Sequence, residues 1–477
     1  MITVRRTRKT IQNFSLLLSA RAYQILLRLL VIALLARYLG TKGFGQYGFV
    51  ISFVELFVIA AQMGLPRVLV REVSKHKHQS GSYLGLTDLL VLMTSGAAFL
   101  MLLVLSVPAA SDKDTFVAIM VYFASQTLLS VTELRLAIFR AHESMEYQTM
   151  VVVIGQSMIL VLTLVLVFLD AGLVPLFLAI GIANGVTLLL AQYLLHRKFA
   201  TTAYRVDWPL LSYLARSAFP MGVSVLLTVA MWRVGMILLT SMRGDMEAGL
   251  VYGPLRVVND MKIIPMSLEA SLLPVLASQA ATGRESFAVL FEKAVKASLV
   301  LGLLGTVFVV ALADPIVLIL FGAEFSRSAD ALRILGWSTL FTFANVILGS
   351  AFVAIDRQVV ETSFLLLGVA TGVALSLLLI PRYGFLAVCS AIVLGEMTSF
   401  VAACLYTWRR RLYPPLPSLI SKMAVCGFLA AGVLYLGRGL NPFLQLLGSI
   451  ASVCVSLFVL RAIDRDDVQL LAAIIPR

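Results

Sequence analysis

The sequence predicts an all-α polytopic membrane protein of about fourteen transmembrane helices. Two pseudo-symmetric six-helix lobes come first, followed by two C-terminal helices. Three observations carry this expectation. The 477 residues are 60% hydrophobic and only 13% charged, whereas soluble domains average about 25% charged. Apolar runs recur from end to end at lengths near the ~20 residues a helix needs to cross hydrocarbon. Stretches near the start and the middle of the chain also repeat polar residues at a common offset.

Mean hydropathy of +0.96 over this length excludes a water-soluble core. Spans are predicted at 11–39, 44–65, 82–107, 115–139, 148–169, 174–195 and 211–241. They continue at 247–277, 291–313, 329–353, 359–380, 384–407, 419–437 and 441–461. The loops between them are short, which leaves little room for a catalytic module outside the membrane. The basic arm MITVRRTRKT leads into an apolar stretch that continues to Leu39. That is longer than a signal-peptide core and has no small-residue cleavage site, so it reads as a retained first span.

The net charge is +13. On a soluble protein this would point to nucleic acid, but here most of the charge lies in short loops. With the N-terminus inside, cytoplasmic segments hold about 23 Lys and Arg against about 6 outside, the bias of the positive-inside rule. The expected location is the cell inner (cytoplasmic) membrane, with both termini cytoplasmic and no nucleic-acid partner. The most basic inside loops are 67–79 and 408–422.

Nine basic residues fall inside apolar segments: Arg21, Arg28, Arg37, Arg135, Arg216, Arg233, Arg256, Lys262 and Arg333. A cation at mid-bilayer costs at least ~2.5 kcal/mol, so it is kept where it meets water or an anion. Span 1 sets Arg21, Gln24 and Arg28 on one face by i, i+3 and i+7 spacing. Arg37 and Arg216 lie near span ends, where long side chains snorkel. Span 8 aligns Tyr252, Arg256, Asn259 and Asp260. Arg256 and Asp260 also have the spacing of an intrahelical ion pair. Pro254, Pro265 and Pro274 in the same span should bend or break it, making them candidate hinges. Glu55, Asp260 and Glu133 are candidates for ion coupling or, alternatively, for neutralising the arginines.

The internal repeat has an offset near 205: Arg28 falls on Arg233 and Glu55 on Asp260. The turn with Gly40, Gly45 and Tyr47 falls near Gly244, Gly249 and Tyr252. An even number of spans separates the copies, which makes the repeat parallel. The expected lobes are 1–200 (spans 1–6) and 201–410 (spans 7–12), with 411–477 holding spans 13–14 and a cytoplasmic tail.

Several chemistries find no support. Cys389, Cys404, Cys426 and Cys454 sit in apolar runs without a CxxC pair. His76 and His78 form an H-x-H among lysines that repel a metal ion. Gly43–Gly48 matches GxGxxG by letter, but a membrane-length helix precedes it instead of a strand. Those glycines are expected to form a tight turn between spans 1 and 2. Walker A, HExxH and GxSxG motifs are absent from the sequence. Neither enzymatic activity nor a cofactor or metal is expected.

Certain stretches are more specific than composition. They are LLARYLGTKGFGQYGF (34–49) after Asn13, SAFPMGVSVLL (217–227), GLVYGPLRVV (249–258), SLLPVLAS (271–278) and DPIVLILFGAEFSRSADALRILG (314–336). In these the chain resembles polysaccharide (O-antigen or exopolysaccharide) flippases of the MOP superfamily, which also holds MATE transporters and lipid II flippases. The resemblance covers nearly the whole chain. It implies alternating access that moves a polyprenyl-diphosphate-linked oligosaccharide across the membrane for cell-surface polysaccharide synthesis. It further implies that arginines of spans 1, 7 and 8 line a cationic cavity: by position Arg21, Arg28, Arg233 and Arg256, with Gln24 and Asn259 on the same faces. Implied partners are the lipid-linked substrate, membrane lipid, and a polysaccharide polymerase with glycosyltransferases. Two other readings stay open here: a MATE-type drug/cation antiporter, and a non-transporting scaffold of a polysaccharide synthase.

Overall fold

The computed structural model describes residues 2–199, 206–409, 416–437 and 441–460, with side chains omitted for 2–21, 284 and 416–420. The elements are α1 (Ile2–Gln62), α2 (Leu65–Lys75), α3 (Ser80–Ala109), α4 (Lys113–Ala141), α5 (Met145–Phe168), α6 (Leu173–Lys198), α7 (Trp208–Arg243) and α8 (Asp245–Asp260). They continue as α9 (Ile263–Thr282), α10 (Arg284–Ala311), α11 (Ala313–Leu320), α12 (Ser328–Ala354), α13 (Gln358–Tyr383), α14 (Phe385–Arg409), α15 (Leu416–Leu436) and α16 (Pro442–Val459). No strand occurs among the described residues. Hydrocarbon offers backbone groups no partner, and a helix satisfies them within itself.

Among the described residues, twelve helical segments are long and apolar enough to cross a membrane. The first of them holds both span 1 and span 2. Ser421–Leu436, the part of α15 with described side chains, is a shorter apolar helix. Each predicted span therefore has a helical counterpart.

Spans 1 and 2 meet at one residue, Gly40, with φ 64° and ψ −178°. This backbone region is essentially reserved for glycine. Gly244 before α8 has nearly the same conformation, φ 85° and ψ 177°. It stands close to the position that the repeat offset aligns with Gly40. The turn expected over Gly43–Gly48 is not there: those residues are helical. At Gly43 a Cβ would lie 3.1 Å from Leu39 Cβ, so its glycine permits close packing.

Span 8 is broken just before one of its three prolines, Pro265. Pro265 has no N–H for the Met261 carbonyl, and its ring crowds that group. The chain answers by tightening: Ile264 N–H donates to the Met261 carbonyl at 3.1 Å, and just before it Met261 and Lys262 N–H donate to the Val258 and Asn259 carbonyls, both at 3.2 Å. The helix then restarts at Ile263. Pro254 and Pro274 sit inside continuous helices.

The chain divides into two compact units, Met1–Ser241 and Met242–Arg477. In the first, α4 packs along α6, and α2 packs on α3 and α4. Its core includes Val68, Leu69, Tyr83, Leu134, Phe139, Leu195 and Leu214. In the second, α10 packs on α12, and α15 and α16 pack on α10. Phe291, Leu303, Ile347, Cys426 and Val453 belong to that core. Lipid tails are as apolar as these side chains, so close packing rather than escape from water holds such cores.

Asp112 caps α4, its Oδ1 accepting the Thr115 N–H at 2.7 Å. Its Oδ2 accepts from Gln46 Nε2 at 3.0 Å, tying this helix start to α1. The Thr115 backbone bond holds the Asp112 carboxyl below its usual value of 3.8. A depressed carboxyl stabilises the fold above its unfolded pKa and loses that contribution as pH falls through the folded one. We expect Asp112→Ala to cost about 1 kcal/mol, the usual value of such a cap. Thermal unfolding in detergent should show the difference at neutral pH and a smaller one in acid.

Candidate functional site

The expected cavity residues lie on three helices, α1, α7 and α8. In α1, Gln24 and Arg28 are half-buried. The Arg21 side chain lies outside the described residues. Neighbouring Tyr23 shares a hydrogen bond of 2.9 Å with Ser157 of α5, which fixes this part of α1 to the first unit.

Arg233 of α7 is 8% exposed. Its Nη2 lies 2.7 Å from Glu55 Oε2, in the second half of α1. Both side chains are in apolar helices, and each relieves the cost of the other. Glu55 thus has a cationic partner in place within the same unit. The repeat aligned Arg28 with Arg233 and Glu55 with Asp260, yet this ion pair joins a member of each aligned pair.

In the second unit, Arg256 and Asn259 are half-buried on α8, and Asp260 is 8% exposed at its end. The break that follows places Lys262 in the turn between α8 and α9. The polar cluster of α8 therefore ends where the helix itself is interrupted.

The other basic residues have different surroundings. Arg135, 4% exposed, is gripped by Asp88, 2% exposed. Its Nη1 donates to Asp88 Oδ1, its Nη2 to Oδ2 at 2.8 Å, and its Nε to Gln192 Oε1 at 2.8 Å. Glu133, the carboxylate nearest in sequence, instead meets Arg140 at 3.4 Å. Arg333 pairs with Asp314 and with Asp330 Oδ1 at 2.7 Å. Arg216 is exposed near the start of α7.

Asp88 was absent from the sequence expectations. Its signal was present all the same: a lone acid in the apolar run LGLTDLLVLM needs a buried cation. Glu396 likewise has a partner, accepting from Asn345 Nδ2 at 2.8 Å.

Chemically, this set is suited to an anion. Arginine presents a rigid fork that matches phosphate oxygens two at a time and keeps its charge when desolvated. Arg233 is largely offset by Glu55, while Arg28 and Arg256 sit on the helices bordering Gly40 and Gly244. Among the described residues, no group of three His, Cys, Asp or Glu could hold a metal ion.

A family model described as polysaccharide biosynthesis protein matches residues 10–280. A search of curated proteins returns no match. Among solved structures, lipid II flippase MurJ in an inward closed conformation aligns with TM-score 0.72 and 14% identity, over 94% of this chain and 98% of that one. An inward-facing multidrug resistance MATE transporter of the MOP superfamily aligns with TM-score 0.69 and 17% identity, over 82% of this chain and 94% of that one. A MOP superfamily transporter from Pyrococcus furiosus, reported with a binding pocket of reversed polarity, aligns with TM-score 0.57 and 14% identity, over 82% and 95%. At these identities the likeness establishes the MOP fold.

The Asp88–Arg135 grip gives a stability test. Arg135→Met should cost about 3–5 kcal/mol, because it strands a buried carboxylate. The double variant Asp88→Leu with Arg135→Met should recover most of that loss. Thermal unfolding of the three proteins in one detergent measures both differences.

Proposed function

We propose that this chain, which belongs to the polysaccharide biosynthesis protein family, moves a polyprenyl-diphosphate-linked oligosaccharide across the cytoplasmic membrane. The observation that carries the reading is the presence of Arg28, Arg233 and Arg256 within membrane-spanning helices, all buried or half-buried. A diphosphate carries the charge those groups suit, and charge-assisted bonds to guanidinium bind it without a metal ion. The saccharide needs a wet polar path, whereas the prenyl tail stays in lipid. A lipid II flippase with the same fold over most of its length supports this substrate class by analogy.

In this reading, Arg28, Arg233 and Arg256 line the cationic cavity with Gln24 and Asn259, and Arg21 joins them. The lobes 1–200 and 201–410 rock in alternating access, with 411–477 appended, and the bent span 8 serves as a hinge through Pro254, Pro265 and Pro274. Both termini face the cytoplasm, as the Lys and Arg bias favours. Of the three carboxylates considered for coupling, Glu133 is held by half-buried Arg140 and Glu55 by Arg233. Asp260 is the most buried of them and the first to test. A polymerase and glycosyltransferases supply the reactions before and after transport.

Neutralising Arg28 or Arg256 to Gln should reduce surface polysaccharide about 10- to 100-fold, as expected from ~1.5–3 kcal/mol per hydrogen bond to a charged group. Arg216→Gln should leave it near wild type. Immunoblots of surface glycan, normalised to inserted protein, measure this. Unchanged glycan in both cavity variants would refute the assignment. Efflux of cationic dyes that depends on Asp260 would point instead to a MATE-type antiporter.

A further inference from the structure

The sequence treats 67–79 as a basic loop, but most of it is helical. α2 starts after Gly64, whose φ of 72° and ψ of 8° turn the chain away from α1. That corner is packed tightly: a Cβ on Gly222 of α7 would lie 2.7 Å from Met63 Cα. At 3.6 residues per turn, Arg67, Arg71, Ser74 and Lys75 fall within an arc of roughly 100°, and all four are exposed. Leu65, Val68, Leu69, Glu72 and Val73 occupy the opposite side and are buried. That side packs on α3 and α4, so the orientation of the basic face is fixed by the core.

Charge on this element is one-sided. Between Leu65 and Lys77 there are four Lys and Arg against one carboxylate, Glu72. Glu72 is turned inward at 4% exposure. Its Oε1 accepts from Arg71 Nε at 2.7 Å and from Tyr213 Oη at 3.3 Å. Lys75 Nζ stands 3.9 Å away. Arg67 and Lys77 have no carboxylate neighbour in the segment. His76 and His78 extend the exposed surface. The next acid in the chain, Asp88, is consumed by Arg135.

α2 joins two membrane-spanning helices, so it lies at a membrane boundary. An exposed cationic face at that level meets phospholipid headgroups before any other polyanion. We propose that the basic face of α2 binds the anionic phospholipids of the bilayer itself. Clustered Lys and Arg at a membrane surface attract such lipids additively, within a Debye length. The face belongs to a different helix from the arginines assigned to transport, and its ligand is a bulk lipid, not the cargo. Through the Gly64–Gly222 contact, lipid held there bears on the Pro220 region of α7.

The test uses the full-length protein with a fluorophore on Ser74→Cys, in a Cys454→Ser background, since Cys389, Cys404 and Cys426 are buried. It is placed in nanodiscs containing a minor fraction of nitroxide-labelled phosphatidylglycerol or phosphatidylcholine. Quenching by phosphatidylglycerol should exceed that by phosphatidylcholine several-fold. The excess should disappear between about 0.1 and about 1 M salt, as the Debye length shrinks from about 10 to about 3 Å. It should also disappear in Arg67→Gln/Arg71→Gln/Lys75→Gln. The salt arm needs no charge-removing variant, so the test survives misfolding of that triple mutant. Equal quenching by the two lipids, or an excess that persists in high salt, overturns the proposal. So does stronger quenching by a nitroxide-labelled polyprenyl diphosphate than by phosphatidylglycerol, which would make α2 a substrate site.

Discussion

A guanidinium inside a membrane-spanning helix must meet an anion or water, and much of this structure can be read from that requirement. Asp88 and Arg135 form one solution, a fully buried fork-to-fork pair completed by Gln192. Glu55 and Arg233 form a second, joining α1 to α7 within the first unit. Ion pairs of this kind seldom add net stability over apolar packing, but breaking one is expensive. Their value here is registry: each fixes the rotation of one apolar helix against another, where hydrophobic burial gives no preference.

Breaks in the helices follow a related constraint. In hydrocarbon a chain reverses or bends only where freed backbone groups find partners nearby. Gly40 and Gly244 each interrupt the helical backbone with a single glycine-only conformation. Pro265 accounts for the break between α8 and α9, and the Met261 carbonyl it frees is taken up by the Ile264 N–H in a tightened turn. The polar residues Arg256, Asn259 and Asp260 cluster just before this break, so the second unit places its charged groups where its backbone is least regular. Transport sites are commonly built from such interrupted helices.

Span positions were legible because apolar length is a one-dimensional signal. The broken span 8 was legible too, since proline acts locally. Other features depended on neighbours far along the chain. Asp88 carried a readable warning, but its partner in α4 could not be named from spacing. The Arg233 pairing with Glu55 crossed the repeat alignment, which had matched each with a different residue. The basic pattern of 67–79 reads as a loop, yet Leu65, Val68, Leu69, Glu72 and Val73 trace the buried face of a helix. The joint between spans 1 and 2 falls at Gly40, which the repeat and the span bounds already mark, while the Gly43–Gly48 cluster also expected to turn there is helical.

The chain belongs to the polysaccharide biosynthesis protein family and has the fold of a lipid II flippase and of MOP superfamily transporters. The central claim is that its intramembrane arginines recognise a lipid diphosphate. Purified protein in liposomes, supplied with a fluorescent polyprenyl-diphosphate disaccharide on one side, tests this directly through arrival of the label at the other leaflet. The account predicts translocation well above the protein-free leak, inhibited by excess unlabelled polyprenyl diphosphate but not by the free disaccharide. Translocation inhibited by the free sugar alone, or no translocation by protein shown to be folded, would contradict it.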